Sequence, residues 1–134
     1  MSAFAQASKL AAYSSTAAHG GVAAADPHRL VVMLLDGAIE RIRAAQACIK
    51  RGEIAEKAQL IHRAVAIIGE LHASLDMSAG GQIAANLGEL YDYMTRQLLK
   101  ATLENNLETM DEVCRLLHEI RSAWVTIPAE ARAR

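Results

Sequence analysis

From Val31 to Ile127, apolar residues return every three or four positions in four successive runs, and the breaks between runs are only a few residues long. A period near 3.6 selects helices over strands, whose side chains alternate with a period of two. The first run is Val31, Leu35, Ala38, Ile42, Ala45 and Ile49. It opens just after Asp26-Pro27. An Asp carboxylate accepts from the free amides of a first turn, and Pro at the next position pre-sets the helical φ at no hydrogen-bond cost. Lys50 and Arg51 complement the dipole of the last turn, Arg41 and Arg43 are available to face water, and Gly52 can end the helix in the left-handed region.

The second run predicts a helix over about 53–77 with two apolar stripes side by side. Ile54, Ala58, Ile61, Val65, Ile68 and Leu75 form one stripe, and Leu60, Ala64, Ile67 and Leu71 form the other. Such a face is wider than one bundle seam needs, so the helix either sits deep in the core or leaves a groove. Ser78-Ala79-Gly80-Gly81 reads as the next break. A third helix over 82–104 carries Ile83, Leu87, Leu90, Met94, Leu98 and Ala101, and Asn105-Asn106 ends it. The fourth carries Met110, Val113, Leu117, Ile120, Trp124 and Ile127 and stops before Pro128.

Helices of roughly 20–25 residues are about 30–37 Å long. Connections this short make neighbouring helices run antiparallel. The expected fold is all-α: an antiparallel up-down-up-down four-helix bundle over residues 26–127, with a short N-terminal arm (1–25) and a frayed tail (128–134). The arm is rich in Ala and Ser, contains His19-Gly20-Gly21, and offers only Phe4, Leu10 and Tyr13 as apolar bulk. Leu10 and Tyr13 would share one face of a short helix there.

Composition fits this reading and narrows the function. The 134 residues suit one domain, and a chain of that size buries roughly 65–70 % of its unfolded surface without needing staples. Apolar residues make up 52 % but aromatics only 4 %, so the bulk comes from aliphatic residues and Ala, mostly good helix formers. With 14 basic and 15 acidic residues the net charge is −1, which steers the chain toward neither nucleic acid nor an anionic membrane. Cys48 and Cys114 are too few for a disulfide framework and read as reduced, packed thiols. No charged leader precedes a long apolar run, and no apolar stretch approaches the ~18–20 residues of a membrane span. The expectation is a cytoplasmic protein without direct membrane insertion.

Candidate chemistry is sparse. A carboxylate-bridged di-iron site in a bundle needs Glu-x-x-His pairs, and the sequence has none. Cys114 and His118 share a helix face at i, i+4, a spacing that suits a thiolate–base pair or two metal ligands, but a third group is missing nearby. No two of His28, His62 and His72 are four apart, and Gly80-Gly81 lacks the Lys-Ser/Thr that would follow in a phosphate loop. No catalytic, metal or cofactor site is therefore expected, and the chain is not read as an enzyme. A metal-binding bundle and a structural bundle that self-associates through its spare apolar face stand as the rival readings.

Asp36-Gly37 stands out, because a mid-helix Gly costs about 1 kcal/mol relative to Ala. Close helix packing, room for the arm, and a shallow spot for a partner's backbone all exploit the same missing side chain. Tyr91 and Tyr93 cannot share one helix face, so at least one meets the surface or a partner. Trp124 lies on the core stripe of the fourth helix.

Several blocks converge on one family. Asp26-Pro27-His28-Arg29-Leu30, followed by Met33-Leu34-Leu35-Asp36-Gly37-Ala38, resembles the opening helix of the flagellar secretion chaperones, the FliS family. Ala66-Ile67-Ile68-Gly69-Glu70-Leu71 with Ser74-Leu75-Asp76 is similar to its second helix. Gly80-Gly81-Gln82-Ile83-Ala84-Ala85-Asn86-Leu87 with Leu90-Tyr91-Asp92-Tyr93-Met94 resembles its most recognisable block. Glu119-Ile120-Arg121-Ser122-Ala123-Trp124 resembles its ending, and Leu10 with Ala12-Tyr13 its short N-terminal motif. The usual Ser before Pro is Asp26 here, which caps equally well.

The resemblance implies a cytosolic helical bundle that binds the disordered C-terminal segment of flagellin, prevents premature polymerisation and delivers it to the flagellar type III export apparatus. The surface expected to meet this client comprises Leu34, Asp36 and Gly37, then Leu60, Ala64, Ile67 and Leu71, then Tyr91 and Tyr93. Leu10 and Tyr13 are expected to cover part of it until the client arrives. The same arm is expected to contact an export-gate component, and the client-free protein to self-associate as a homodimer.

Overall fold

Asp26 begins the first helix through its side chain: Arg29 N donates to Asp26 Oδ1 at 3.2 Å. Helix α1 then runs Pro27–Arg51, with Pro27 in the first turn. It closes on Gly52, which adopts φ 76° and donates its N–H to the carbonyls of Cys48 and Ile49. The computed structural model describes residues 26–127, and these form four helices with no strand among them. The expected arm and tail, and with them Leu10 and Tyr13, lie outside the described residues.

Helix α2 spans Ile54–Ala73 and is shorter than the apolar pattern suggested. Ser74 stops it, its N–H donating to the Glu70 and Leu71 carbonyls and its Oγ to Leu71 O at 2.7 Å. Asp76 then caps a new helix, accepting from Ala79 N at 3.1 Å and Ser78 Oγ at 2.9 Å. Helix α3 therefore begins at Met77 and runs to Glu104. The expected break at Gly80-Gly81 lies inside α3, where Gly81 (φ 55°, ψ −129°) bends it after one turn. A Cβ on Gly80 would lie 2.7 Å from that of Ala84, so the bend needs both glycines. Asn105 closes α3 with φ 52°, and Asn106 caps α4 (Leu107–Val125) by accepting from Thr109 N at 3.0 Å.

Helix α1 packs on α2 and α4, and α3 packs on the same two, closing a ring around one core. Leu35, Ile42, Ile61, Ile68, Met94, Leu98, Met110 and Leu117 are its largest wholly buried residues besides Leu71. The α2 core line is Ile61, Ala64, Ile68 and Leu71, so it draws on both sequence stripes and leaves Ile54 exposed. In α3 the expected register fails in the first half. Ala84, Gly88 and Tyr91 are buried where Ile83, Leu87 and Leu90 were expected. The cause is steric: a Cβ on Gly88 would lie 3.1 Å from His72 Nε2, so small residues let α3 approach α2 closely. Of the bulkier residues one position earlier, Leu87 and Leu90 are half-buried against the edge of the core, and Ile83 is left 73 % exposed.

Polar ties fix which heights of the helices meet. His28 Nε2, at the start of α1, donates to Trp124 O near the end of α4. Asp36 accepts from Arg121. Buried Gln46 donates to Asp111 Oδ1 at 2.8 Å and to Leu107 O at 3.2 Å, and Arg43 Nη1 donates to the same Asp111 oxygen at 2.7 Å. Lys57, at the start of α2, reaches the end of α3.

Candidate functional site

One face of α1 repeats Leu30, Leu34, Gly37 and Arg41 at intervals of four, three and four. One face of α2 repeats Arg63, Ile67 and Glu70 at intervals of four and three. Both spacings align side chains along a helix. The two faces border a groove made of two depressions that share Leu30 and Leu34. The first, about 390 Å³, lies between Leu34, Gly37 and Met33 of α1 and Ala66 and Ile67 of α2, with Arg41 and Arg63 at its edge. The second, about 530 Å³, opens where α1 and α3 begin and α2 and α4 end. Leu75, Ile83, Leu87, Trp124 and Ile127 give it apolar walls, and Glu70, Asp76, His28 and Tyr91 supply its polar groups.

Gly37 contributes an absence. A Cβ there would lie 3.4 Å from Arg41 Nη1 and 3.5 Å from Ile67 Cδ1. That is close to ordinary contact, so packing of α1 on α2 does not demand glycine here; what the missing methyl adds is depth. The polar groups differ between the two ends. Arg41 Nη1 donates to Gly37 O at 3.2 Å and lies 3.8 Å from Glu40 Oε1, leaving most of its five donors for water or a ligand. Arg63 is exposed and makes no hydrogen bond or ion pair among the described residues. At the other end Glu70 Oε1 is buried and has no hydrogen-bond partner among the described residues. Burial holds the Glu70 carboxyl above the usual carboxylate range. Burial likewise pushes the Tyr91 phenol up to about 12, so it stays neutral. Asp76 is held low by its hydrogen bonds from Ala79 and Ser78.

The groove gathers some of the expected site residues and not others. Leu34, Gly37, Ile67 and Tyr91 line it. Leu60 is half-buried against the core, while Ala64 and Leu71 are inside the core. Asp36 is held by Arg121, and Tyr93 Oη donates to Glu112 Oε2 at 2.9 Å, so both tie a neighbour to α4. Sequence reasoning missed Arg63 and Glu70, and treated Arg41 only as a solvent-facing charge. The i, i+4, i+7 repeat of Arg63, Ile67 and Glu70 was the available signal. Among the described residues no group of three His, Cys, Asp or Glu is placed to hold a metal ion, and no helix is long and apolar enough to cross a membrane. Cys114 is buried and His118 exposed, so that pair faces no common cavity.

Depressions with apolar walls and a few polar groups beside them are the kind of surface on which a binding protein can receive an extended or helical segment. The family described as "Flagellar protein FliS" matches residues 9–131. The chain is 40% identical over 121 residues to the flagellar secretion chaperone FliS of Vibrio cholerae, covering 90% of this chain and 89% of that one. It is 40% identical over 126 residues to the flagellar secretion chaperone FliS of Salmonella typhimurium, covering 93% of each. Against the flagellar secretion chaperone FliSB of Pseudomonas aeruginosa it is 40% identical over 112 residues, covering 84% of this chain and 89% of that one. This chain belongs to the FliS family of flagellar proteins.

Proposed function

We propose that the protein is a cytoplasmic export chaperone that binds the disordered C-terminal segment of flagellin, prevents its premature polymerisation and delivers it to the flagellar type III export apparatus. The observation that carries the reading is a pair of open, adjacent apolar depressions that share Leu30 and Leu34 in their walls. The names of the relatives, flagellar secretion chaperones, supply the client class. A disordered tail that folds on binding spends several kcal/mol on ordering itself. It therefore needs a large apolar contact, and the result stays releasable at the export gate. No nucleotide or cofactor enters this scheme.

The bundle in this reading is antiparallel, up-down-up-down. The contacts of His28 with Trp124, Gln46 with Leu107 and Lys57 with Thr102 support that arrangement, since each joins the early part of one helix to the late part of another or the reverse. The N-terminal arm (1–25) supplies Leu10 and Tyr13 to the groove before the client arrives and offers the same residues to the export gate afterwards. Residues 26–127 are the chaperone domain.

Titration of the folded protein with a flagellin C-terminal peptide tests the core of the proposal. Saturable binding at micromolar concentration is expected, and its absence would sink the reading. Self-association through the same apolar surface is the competing use. Sedimentation with and without peptide separates the two: a chaperone's homodimer gives way to a client complex, whereas a structural oligomer keeps its mass.

A further inference from the structure

The sulfur atoms of the described residues fall into two groups. Cys48, Cys114, Met94 and Met110 are buried, whereas Met33 is 44 % exposed and Met77 is 54 % exposed. Among the described residues these two thioethers are therefore the sulfurs that a dissolved oxidant reaches. Met77 begins α3 and stands in the wall of neither depression. Met33 stands in the wall of the first, with Leu30, Leu34 and Gly37 of α1 and Ala66 and Ile67 of α2. It is the one sulfur in that wall.

A thioether is apolar, flexible and polarisable, so it packs against partners of varied shape. Hydrogen peroxide converts it to a sulfoxide. A sulfur lone pair attacks one peroxide oxygen, the S–O bond forms as the O–O bond breaks, and proton transfer releases water. The sulfur loses two electrons and the peroxide gains them. The product is a polar acceptor, and methionine sulfoxide reductases return it to the thioether.

We infer that Met33 is a reversible oxidation site that controls what the first depression accepts. Reduced, it completes an apolar wall. Oxidised, it presents a sulfoxide oxygen that an incoming apolar segment must take out of water without offering it a donor. Affinity for such a segment then falls, and reduction restores it. A seated segment in turn covers the sulfur and slows its oxidation. The core is spared, because Met94 and Met110 are out of reach while the chain is folded. The inference rests on the chaperone reading above and adds control by peroxide to it.

The test treats the full chain with hydrogen peroxide, removes the reagent, and maps sulfoxides by peptide mass spectrometry. Met33 and Met77 should be oxidised while Met94 and Met110 stay reduced. A Met33 that resists peroxide while Met77 is converted overturns the inference. Binding of a flagellin C-terminal peptide should weaken about three- to tenfold after treatment and recover with methionine sulfoxide reductase. In Met33→Leu the affinities before and after treatment should agree, whereas Met77→Leu should still show the loss. A loss that persists in Met33→Leu, or an unchanged affinity with Met33 fully converted, overturns the inference and leaves the chaperone reading intact. Failure of the untreated chain to bind the peptide overturns both.

Discussion

Lys57 and Asn105 join the start of α2 to the end of α3: the buried Lys57 Nζ donates to Asn105 Oδ1 at 2.7 Å and to Thr102 O at 2.6 Å. The ammonium sits on the free carbonyls of a helix C-terminus, where a cation is favoured by both hydrogen bonding and the dipole. Lys57→Met keeps the stem and removes the donor. It should cost about 1–3 kcal/mol in urea unfolding, since Thr102 O loses a charged partner. Asn105→Gly should cost less, because glycine keeps the φ 52° of this position without strain and Thr102 O stays paired with Lys57.

Two helix glycines should respond differently to the same methyl group. Nothing lies within 4 Å of a Cβ built on Gly69, so Gly69→Ala should stabilise α2 by up to about 1 kcal/mol through helix propensity alone. At Gly88 the same methyl meets the His72 ring, which is held by Asp92 at 3.3 Å. The gain in propensity is opposed there, so Gly88→Ala should be close to neutral. Gly88→Leu should cost about 1–3 kcal/mol by forcing α3 off α2. Thermal melts of the three variants check the order.

Glu70 should make the free protein less stable than it need be at neutral pH. Burial holds its folded carboxyl above the ordinary carboxylate value. Between those two values the folded state binds more protons than the unfolded state, so stability falls as pH rises through that window. The groups around the same groove are His28, Asp76 and Tyr91, and Asp76 is shifted the opposite way. Glu70→Gln should therefore raise stability at neutral pH and remove this part of the fall, measured by urea unfolding across the acid range.

The two thiols should be inert while the protein is folded. Cys48 and Cys114 are buried, and desolvation raises both, Cys114 to about 11. The thiolate is the reactive form, so little is present at neutral pH even where reagent could reach. Ellman's reagent should react with neither until denaturant unfolds the chain, and both should then react at the unfolding rate. Rapid labelling of Cys114 in the native protein would contradict the buried assignment.

Sequence alone determined the helices of this protein and most of their ends. Asp26, Gly52, Asn105 and Asn106 act through bonds to residues a few positions away, and a 3.6 period is visible in one strand of text. Even the misread join between α2 and α3 was local: Asp76 carried a cap signal that the apolar run through Leu75 and Met77 hid. Tertiary structure decided the face each apolar residue shows. Ala64 and Leu71 entered the core and Ile67, from the same stripe, did not; Gly88 pulled Tyr91 inward and left Ile83 outside. Burial depends on which residues of another helix stand at the same height, and periodicity within one helix carries no record of that. The same holds for the surface depressions, since Arg41 and Arg63 line one and Leu30 and Glu70 line the other only when α1 and α2 pack.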